Sequence, residues 1–461
     1  MARDYRTVSY WLETSGDDLT PRPPLDGSID VDIAILGAGF SGLWTAYYLL
    51  KRQPKLKIAI VEKEIAGFGA SGRNGAWCTS QFPTSLEGLT KKYGKEAALA
   101  LNQAMIETVD EVGRVAAAEG LDIHWHKGGA MIVARGPQQL PAVDDEAKAT
   151  RELGLGSEFA RLNKEETDAR VRIAGALASL YSPNTAVIHP GRLARGLARV
   201  VERMGATIHE QAPGSDFSGG AKPVLNTARG DVRAKTIVLC GEGYLSQLAK
   251  TKRQVLPVYS LITLTEPLSE SDWKQIGWQE RECIESGRYS VEYLSKTIDG
   301  RILFGGRGSP YRFGSVIKDE YDRDPRLISR LQESVRTWFP MLKDVKFTHS
   351  WGGPLGWARD YMPTMAYDPA TNIATARGYT GNGVATTNLA ARVVTDLMLG
   401  IDSPITHLPP ANHRSRNWEP EPFRFLGARF VLASYNRIDR ESERTGIPPS
   451  GNSLAERLTR H

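Results

Sequence analysis

The chain has little cysteine: Cys78, Cys240 and Cys283 stand far apart among 461 residues, with no Cys-x-x-Cys. That excludes a disulfide framework and a cysteine zinc site. Among the eight histidines there is no His-Glu-x-x-His, and His124 and His126 read as alternating strand positions without a ligand role, so no metal is expected. No uncharged apolar run reaches the ~18 residues of a membrane helix. Lysine and arginine total 58 against 53 acidic residues, a net charge of +5 with no dense basic run, so nucleic acid is not expected as a partner. The opening Met1-Ala2-Arg3-Asp4-Tyr5 lacks the apolar core of a signal peptide, and a cytoplasmic location is expected. No internal repeat is visible.

Glycine is what the sequence has in excess. There are 45 glycines, against ~7% in average usage, and no Gly-X-Y period absorbs them. Seven fall between positions 37 and 75. Val31–Leu36 is a buried-type strand, Gly37-Ala38-Gly39-Phe40-Ser41-Gly42 follows, and Leu43–Arg52 carries Leu43, Ala46, Tyr47 and Leu50 on one helical face. Pro54 ends that helix and Lys57–Glu62 is a second strand, which makes a βαβ unit. In this context Gly37-x-Gly39-x-x-Gly42 is a dinucleotide fingerprint. The glycines permit a tight turn, backbone approach to a pyrophosphate and close helix–strand packing. The helix N-terminus offers unpaired N–H groups to phosphate. Glu62, with Lys63 beside it, stands where an acid accepts from an adenosine ribose hydroxyl, which speaks against NADP.

The motif alone leaves NAD and FAD open. Gly67-Phe68-Gly69-Ala70-Ser71-Gly72-Arg73-Asn74-Gly75 follows the second strand too richly in glycine for a simple crossover, and suits backbone laid along an extended ligand such as a flavin dinucleotide. Residues 88–118 and 137–153 read as helices, 130–134 as a strand, and His189-Pro190 opens a helix to about Met204. Thr236–Cys240 is a buried strand, Leu261–Thr265 and Arg301–Phe304 are strand candidates, and a last glycine loop, 378–383, leads into a helix through Met398. A short helix at Phe425–Asn436 precedes a tail expected to fray. Phe423–Leu432, with Arg424 and Arg429, has the make-up of a bilayer-surface helix, but packing on the core is the simpler expectation.

Several ordered motifs resemble the D-amino-acid-oxidase-like flavoproteins, in particular the γ-glutamylputrescine-oxidase-type amine oxidases. They are the 69–75 loop, His189-Pro190, the 238–244 segment, Arg301–Gly306, Trp351-Gly352-Gly353, Arg359–Pro363 and Gly378–Val384. The resemblance, spanning Tyr10 to Met398, implies an α/β fold: a Rossmann-like FAD-binding domain (1–95, 188–255, 346–400) interleaved with an antiparallel-sheet substrate domain (96–187, 256–345). Residues 401–461 are left as a C-terminal extension. It places FAD against Gly37, Gly39, Phe40, Ser41, Gly42, Glu62, Lys63, Gly69, Ala70, Ser71, Gly72, Arg73, Asn74, Gly75, Cys240, Gly241, Gly378, Gly381, Asn382 and Gly383. Some relatives attach the flavin through a loop histidine or a cysteine ahead of the Pro363 segment. This chain has Arg73, Asn74, Gly352 and Gly353 there, so non-covalent FAD is expected.

The reaction so implied is oxidation of a small polar amine, such as a γ-glutamylated or other ω-substituted one, to an imine that hydrolyses, with O₂ reduced to H₂O₂. The alternatives are glycine, sarcosine or a D-amino acid as substrate, or a dehydrogenase using another acceptor. A non-enzymatic dinucleotide-binding role is the reading from a different class. Tyr293, Trp351, Tyr379 and Asn382 are the candidates around the flavin, and Arg359 is the candidate for a substrate carboxylate, with pairing to Asp360 its structural alternative. The expected partners are the amine and O₂, and homo-oligomer formation is compatible with the sequence.

Overall fold

Buried apolar strands of four residues, Ile33–Leu36, Ile58–Val61 and Thr236–Leu239, build the centre of a six-stranded sheet. Runs buried on both faces suit a parallel sheet covered by helices. The computed structural model describes residues 3–308 and 310–459. Its six-stranded sheet has the order Thr364–Asp368, Ile373–Arg377, Thr236–Leu239, Ile33–Leu36, Ile58–Val61, Thr207–His209, parallel except for the first strand. The helices Phe40–Arg52, Pro190–Arg203 and Gly383–Leu399 share the hydrophobic core with one face of it.

A second sheet has eight strands. Its order is Phe347–Trp357, Leu256–Thr265, Ile302–Arg307, Glu292–Lys296, Cys283–Ser286, Ala130–Arg135, Ala176–Ser182, Ala160–Leu162. The expected antiparallel sheet is present with one exception, since Cys283–Ser286 runs parallel to Ala130–Arg135. Phe347–Trp357, grouped in the sequence reading with the FAD-binding segments, pairs along its length with Leu256–Thr265 of this sheet. Two small sheets complete the fold: Ile29–Asp30 with three strands between 214 and 233, and Trp77–Thr79 with Thr185–Val187. The architecture is mixed α/β, with chain segments alternating between the two large sheets.

Several expected elements change at their ends. The first helix begins at Phe40, one turn earlier than its apolar face suggests, because Gly39 is its N-cap. The 88–118 helix is two, Leu86–Tyr93 and Lys95–Ala118, broken where Gly94 takes φ +88°. His124 and His126 are not on a strand: His124 has φ +53° and His126 makes a lone bridge to Val187. The C-terminal helix runs over Phe423–Thr445, twice the expected length, and the tail holds a further helix, Leu454–Thr459. Asp439 explains the extension, since its buried carboxylate accepts from the backbone amides of Tyr289 and Ser290. On the outer face Phe423, Leu426 and Phe430 stay exposed. Among the described residues no helix is long and apolar enough to cross a membrane.

Candidate functional site

The C-terminal ends of the parallel strands open into one elongated cleft, where ligands of open α/β sheets bind. Gly37, Gly39, Phe40 and Ser41 line its middle, Glu62 and Lys63 one end, and Tyr379, Gly381, Gly383 and Val384 the other. Gly69, Ala70, Ser71 and Asn74 form one wall and Cys240, Gly241, Pro354 and Leu355 another.

The glycine turn is built to bring backbone to a ligand. Gly37 has φ +104°, and a Cβ there would lie 2.8 Å from the Cys240 carbonyl oxygen. At Gly42 a Cβ would lie 2.0 Å from the Gly37 carbonyl oxygen, so helix and turn cannot separate to admit one. The helix that starts at Phe40 has no side-chain cap, and its Phe40 amide donates to Ser71 Oγ at 2.8 Å, which ties the second glycine loop to the first. Glu62 accepts from the amides of Ala38 (2.9 Å) and Glu64 (2.9 Å), which aims its carboxyl at the cleft end. Burial, reinforced by Glu210 and Glu64, pushes Glu62 up to about 7. The remaining first-turn amides in mid-cleft as donors and a carboxylate acceptor at one end are the groups an adenine dinucleotide asks for, and the residues fit FAD.

The far end of the cleft is held by a residue the sequence reading passed over. Glu242 adopts φ +45°, and its carboxylate accepts from the amides of Gly378 (2.8 Å), Gly356 (3.0 Å) and Tyr379 (3.3 Å). One side chain thereby pins the last glycine loop to Phe347–Trp357. Burial pushes Glu242 up to about 7, against the pull of those amides. An acid between two glycines after a buried strand, Gly241-Glu242-Gly243, was the available signal. Tyr379 is buried, and its hydroxyl is 2.8 Å from Ser41 Oγ. Asn382 is the N-cap of Gly383–Leu399 without capping it through its side chain, so the first-turn amides are left toward the cleft.

Other predicted site residues serve the walls. Arg73 is buried and donates to Asp322 (2.6 Å), the Phe68 carbonyl (2.7 Å), Tyr244 (3.0 Å) and the Gly352 carbonyl (3.1 Å), so it locks the glycine loop in place and is not spent on the cofactor. A Cβ at Gly72 would meet the Gly67 carbonyl at 2.3 Å, and one at Gly75 would meet the Tyr293 ring at 2.5 Å. Gly378 donates to Glu242 from behind the last loop. Trp351 is 1% exposed and donates its indole N–H to the Arg73 carbonyl at 2.9 Å, which makes it core. Tyr293 lies against Gly75 and Gly305, its hydroxyl 2.8 Å from Ser260 Oγ.

Arg359 is turned elsewhere. Its Nε meets both Glu419 oxygens, at 3.1 and 3.2 Å, and its guanidinium sits over Trp418. Asp360 pairs instead with His413 and Ser415. The carboxylate-binding expectation and the Asp360 pairing are both corrected: the segment 413–419, invisible to a local reading, folds back to claim both side chains.

Among known proteins, a family model described as "DAO: FAD dependent oxidoreductase" matches residues 32–397. The chain is 28% identical over 398 residues to gamma-glutamylputrescine oxidoreductase of Escherichia coli (strain K12), covering 86% of this chain and 89% of that protein. It is 22% identical over 396 residues to sarcosine oxidase subunit beta of Arthrobacter sp, covering 81% and 90%. Its fold matches the crystal structure of glycine oxidase from Geobacillus kaustophilus with a TM-score of 0.70 at 20% identity, over 84% of this chain and 99% of that one.

Proposed function

The chain belongs to the DAO family of FAD-dependent oxidoreductases, and from that premise we propose that it is an oxidase of small polar amines holding FAD non-covalently. FAD, when bound, would supply the hydride acceptor and the route of the electrons to O₂. We assign FAD to the segments 1–95, 188–255 and 346–400, of which Phe347–Trp357 belongs to the other sheet and meets the cleft only at Pro354 and Leu355, the substrate to 96–187 and 256–345, and a packing role to the C-terminal extension. Gly37–Ser41 would hold the pyrophosphate and Glu62 the ribose, and Ser71, Asn74, Leu355 and Tyr379 would frame the flavin end. The first-turn amides at Gly383 and Val384 stabilise negative charge that develops there. The reacting amine must be neutral for hydride to leave, and binding against the largely apolar lining at Leu355, Tyr379 and Val384 would disfavour the ammonium by desolvation.

The observation that carries the amine reading, and weighs against an amino-acid substrate, is the place of Arg359, the sequence's candidate for a carboxylate partner: it is not part of the cleft lining and its Nε is turned to Glu419. Non-covalent attachment is supported by the cleft lining, which contains no histidine among the described residues. Its one thiol, Cys240, is pushed up to about 12 by burial and is no ready nucleophile. A panel of polar amines, glycine, sarcosine and D-amino acids, read as H₂O₂, tests this. Turnover of amines at least tenfold above the amino acids is expected, and preference for an amino acid overturns the substrate class.

A further inference from the structure

One carboxylate on the eight-stranded sheet has no cation partner among the described residues. Glu285 lies on Cys283–Ser286, directly across from Tyr293 on the neighbouring strand, so the two share a face of the eight-stranded sheet. That face looks toward the cofactor loop. The Tyr293 ring abuts Gly75, Ser295 two residues on donates to the Gly75 carbonyl at 2.8 Å, and Cys283 packs in one cluster with Ala76 and Trp351. From the opposite side the chain leaving the glycine loop brings up Gln81, whose Nε2 donates to Glu285 at 2.8 Å. Among the described residues this amide is its only hydrogen-bonding or charged partner, and burial holds the Glu285 carboxyl above the usual range. Yet Glu285 is half-buried, not sealed, so a solute can reach it.

A partly buried carboxylate whose one partner is a neutral amide gains from an incoming cation. Gln81, having donated through its nitrogen, keeps its amide oxygen as a second acceptor for the same group. The position is specific too. Asn74 lines the cleft, Gly75 follows it, and Tyr293 stands on Gly75. Glu285 is then one strand spacing, ~5 Å, beyond Tyr293. That sets it on the sheet face packed against the glycine loop that walls the cleft, and it is there that we place the tail of an extended substrate.

We propose that Glu285 and Gln81 form a subsite for a second ammonium carried at the far end of the amine substrate, which makes a cationic-tailed amine the preferred class. The inference rests on the amine reading above. The test compares a series of α,ω-diamines with n-alkylamines of the same chain lengths, measuring anaerobic flavin reduction and kcat/KM with the holoenzyme. The wild type is expected to favour the best diamine over its matched monoamine by about tenfold or more, the scale of a charge-assisted hydrogen bond. In Glu285→Gln that ratio collapses toward one through the KM of the diamine, and Gln81→Leu lowers it in the same direction. Equal efficiency of the two series in the wild type overturns the subsite alone, whatever the variants do. An unchanged ratio in a flavin-loaded Glu285→Gln overturns it as well. If neither series reduces the flavin, the amine reading fails and takes the subsite with it.

Discussion

Glu62 is half accounted for by the protein and half left to a ligand. Two backbone amides hold it, but burial beside Glu210 and Glu64 still pushes it up to about 7, so near neutral pH the free protein keeps a proton there part of the time. On the proposed assignment a ribose hydroxyl donating to the carboxylate would favour the ionised form, so binding of FAD would expel that proton. The apoprotein is therefore expected to bind FAD more tightly as pH rises toward and past 7. Glu62→Gln should weaken binding about tenfold and flatten the pH dependence, as flavin fluorescence quenching would show. Equal affinity in the variant at every pH contradicts the assignment. Glu62 was legible because its chemistry is local: an acid at the end of the strand after a glycine turn. Glu242 was not, because its three amide partners come from two segments more than a hundred residues downstream. Arg359 misled for the same reason, its partner Glu419 lying in a region with no motif.

At the scale of elements, the flavin-side wall depends on one buried cation. Arg73 joins the glycine loop to Phe347–Trp357 and to the turn at Asp322, and Asp322 remains pushed up to about 6 by burial even with Arg73 beside it. Removing only the guanidinium, in Arg73→Met, strands a buried carboxylate. A loss of about 3–5 kcal/mol is expected, seen as a fall in Tm together with a fall in bound flavin. Arg73→Met with Asp322→Leu should recover part of the Tm, because the stranded carboxylate is gone while the Phe68 and Gly352 carbonyls and the Tyr244 hydroxyl still lack their donor. A double variant no more stable than the single one would show that the loop is held by something else. The strands and helices themselves were legible wherever apolar periodicity set them. The two losses, a helix broken at Gly94 and one extended to Thr445, came from a single backbone angle and from a tertiary anchor at Asp439. Neither leaves a mark in the hydrophobic pattern.

The whole molecule is two large sheets between which the chain passes repeatedly, with a cleft at the C-terminal ends of the parallel strands. The glycine excess maps onto that arrangement. Gly37 to Gly42, Gly67 to Gly75, Gly241 and Gly378 to Gly383 bring backbone to one cavity from four separated places in the sequence. Those clusters could be read in order from the sequence, and with them the fold class and the cofactor. The substrate side could not, because its surface is made by strand faces whose register, Glu285 against Tyr293 and Ser260 against Gly353, exists only in the folded sheet. The claim that unites the scales is that this cleft presents an amine to a bound flavin. Anaerobic titration of the purified yellow holoenzyme with a panel of polar amines tests it most directly. Bleaching of the flavin absorption band by at least one of them, with the colour returning on admission of air, is the result expected. A flavin that dithionite bleaches but no amine does would contradict it.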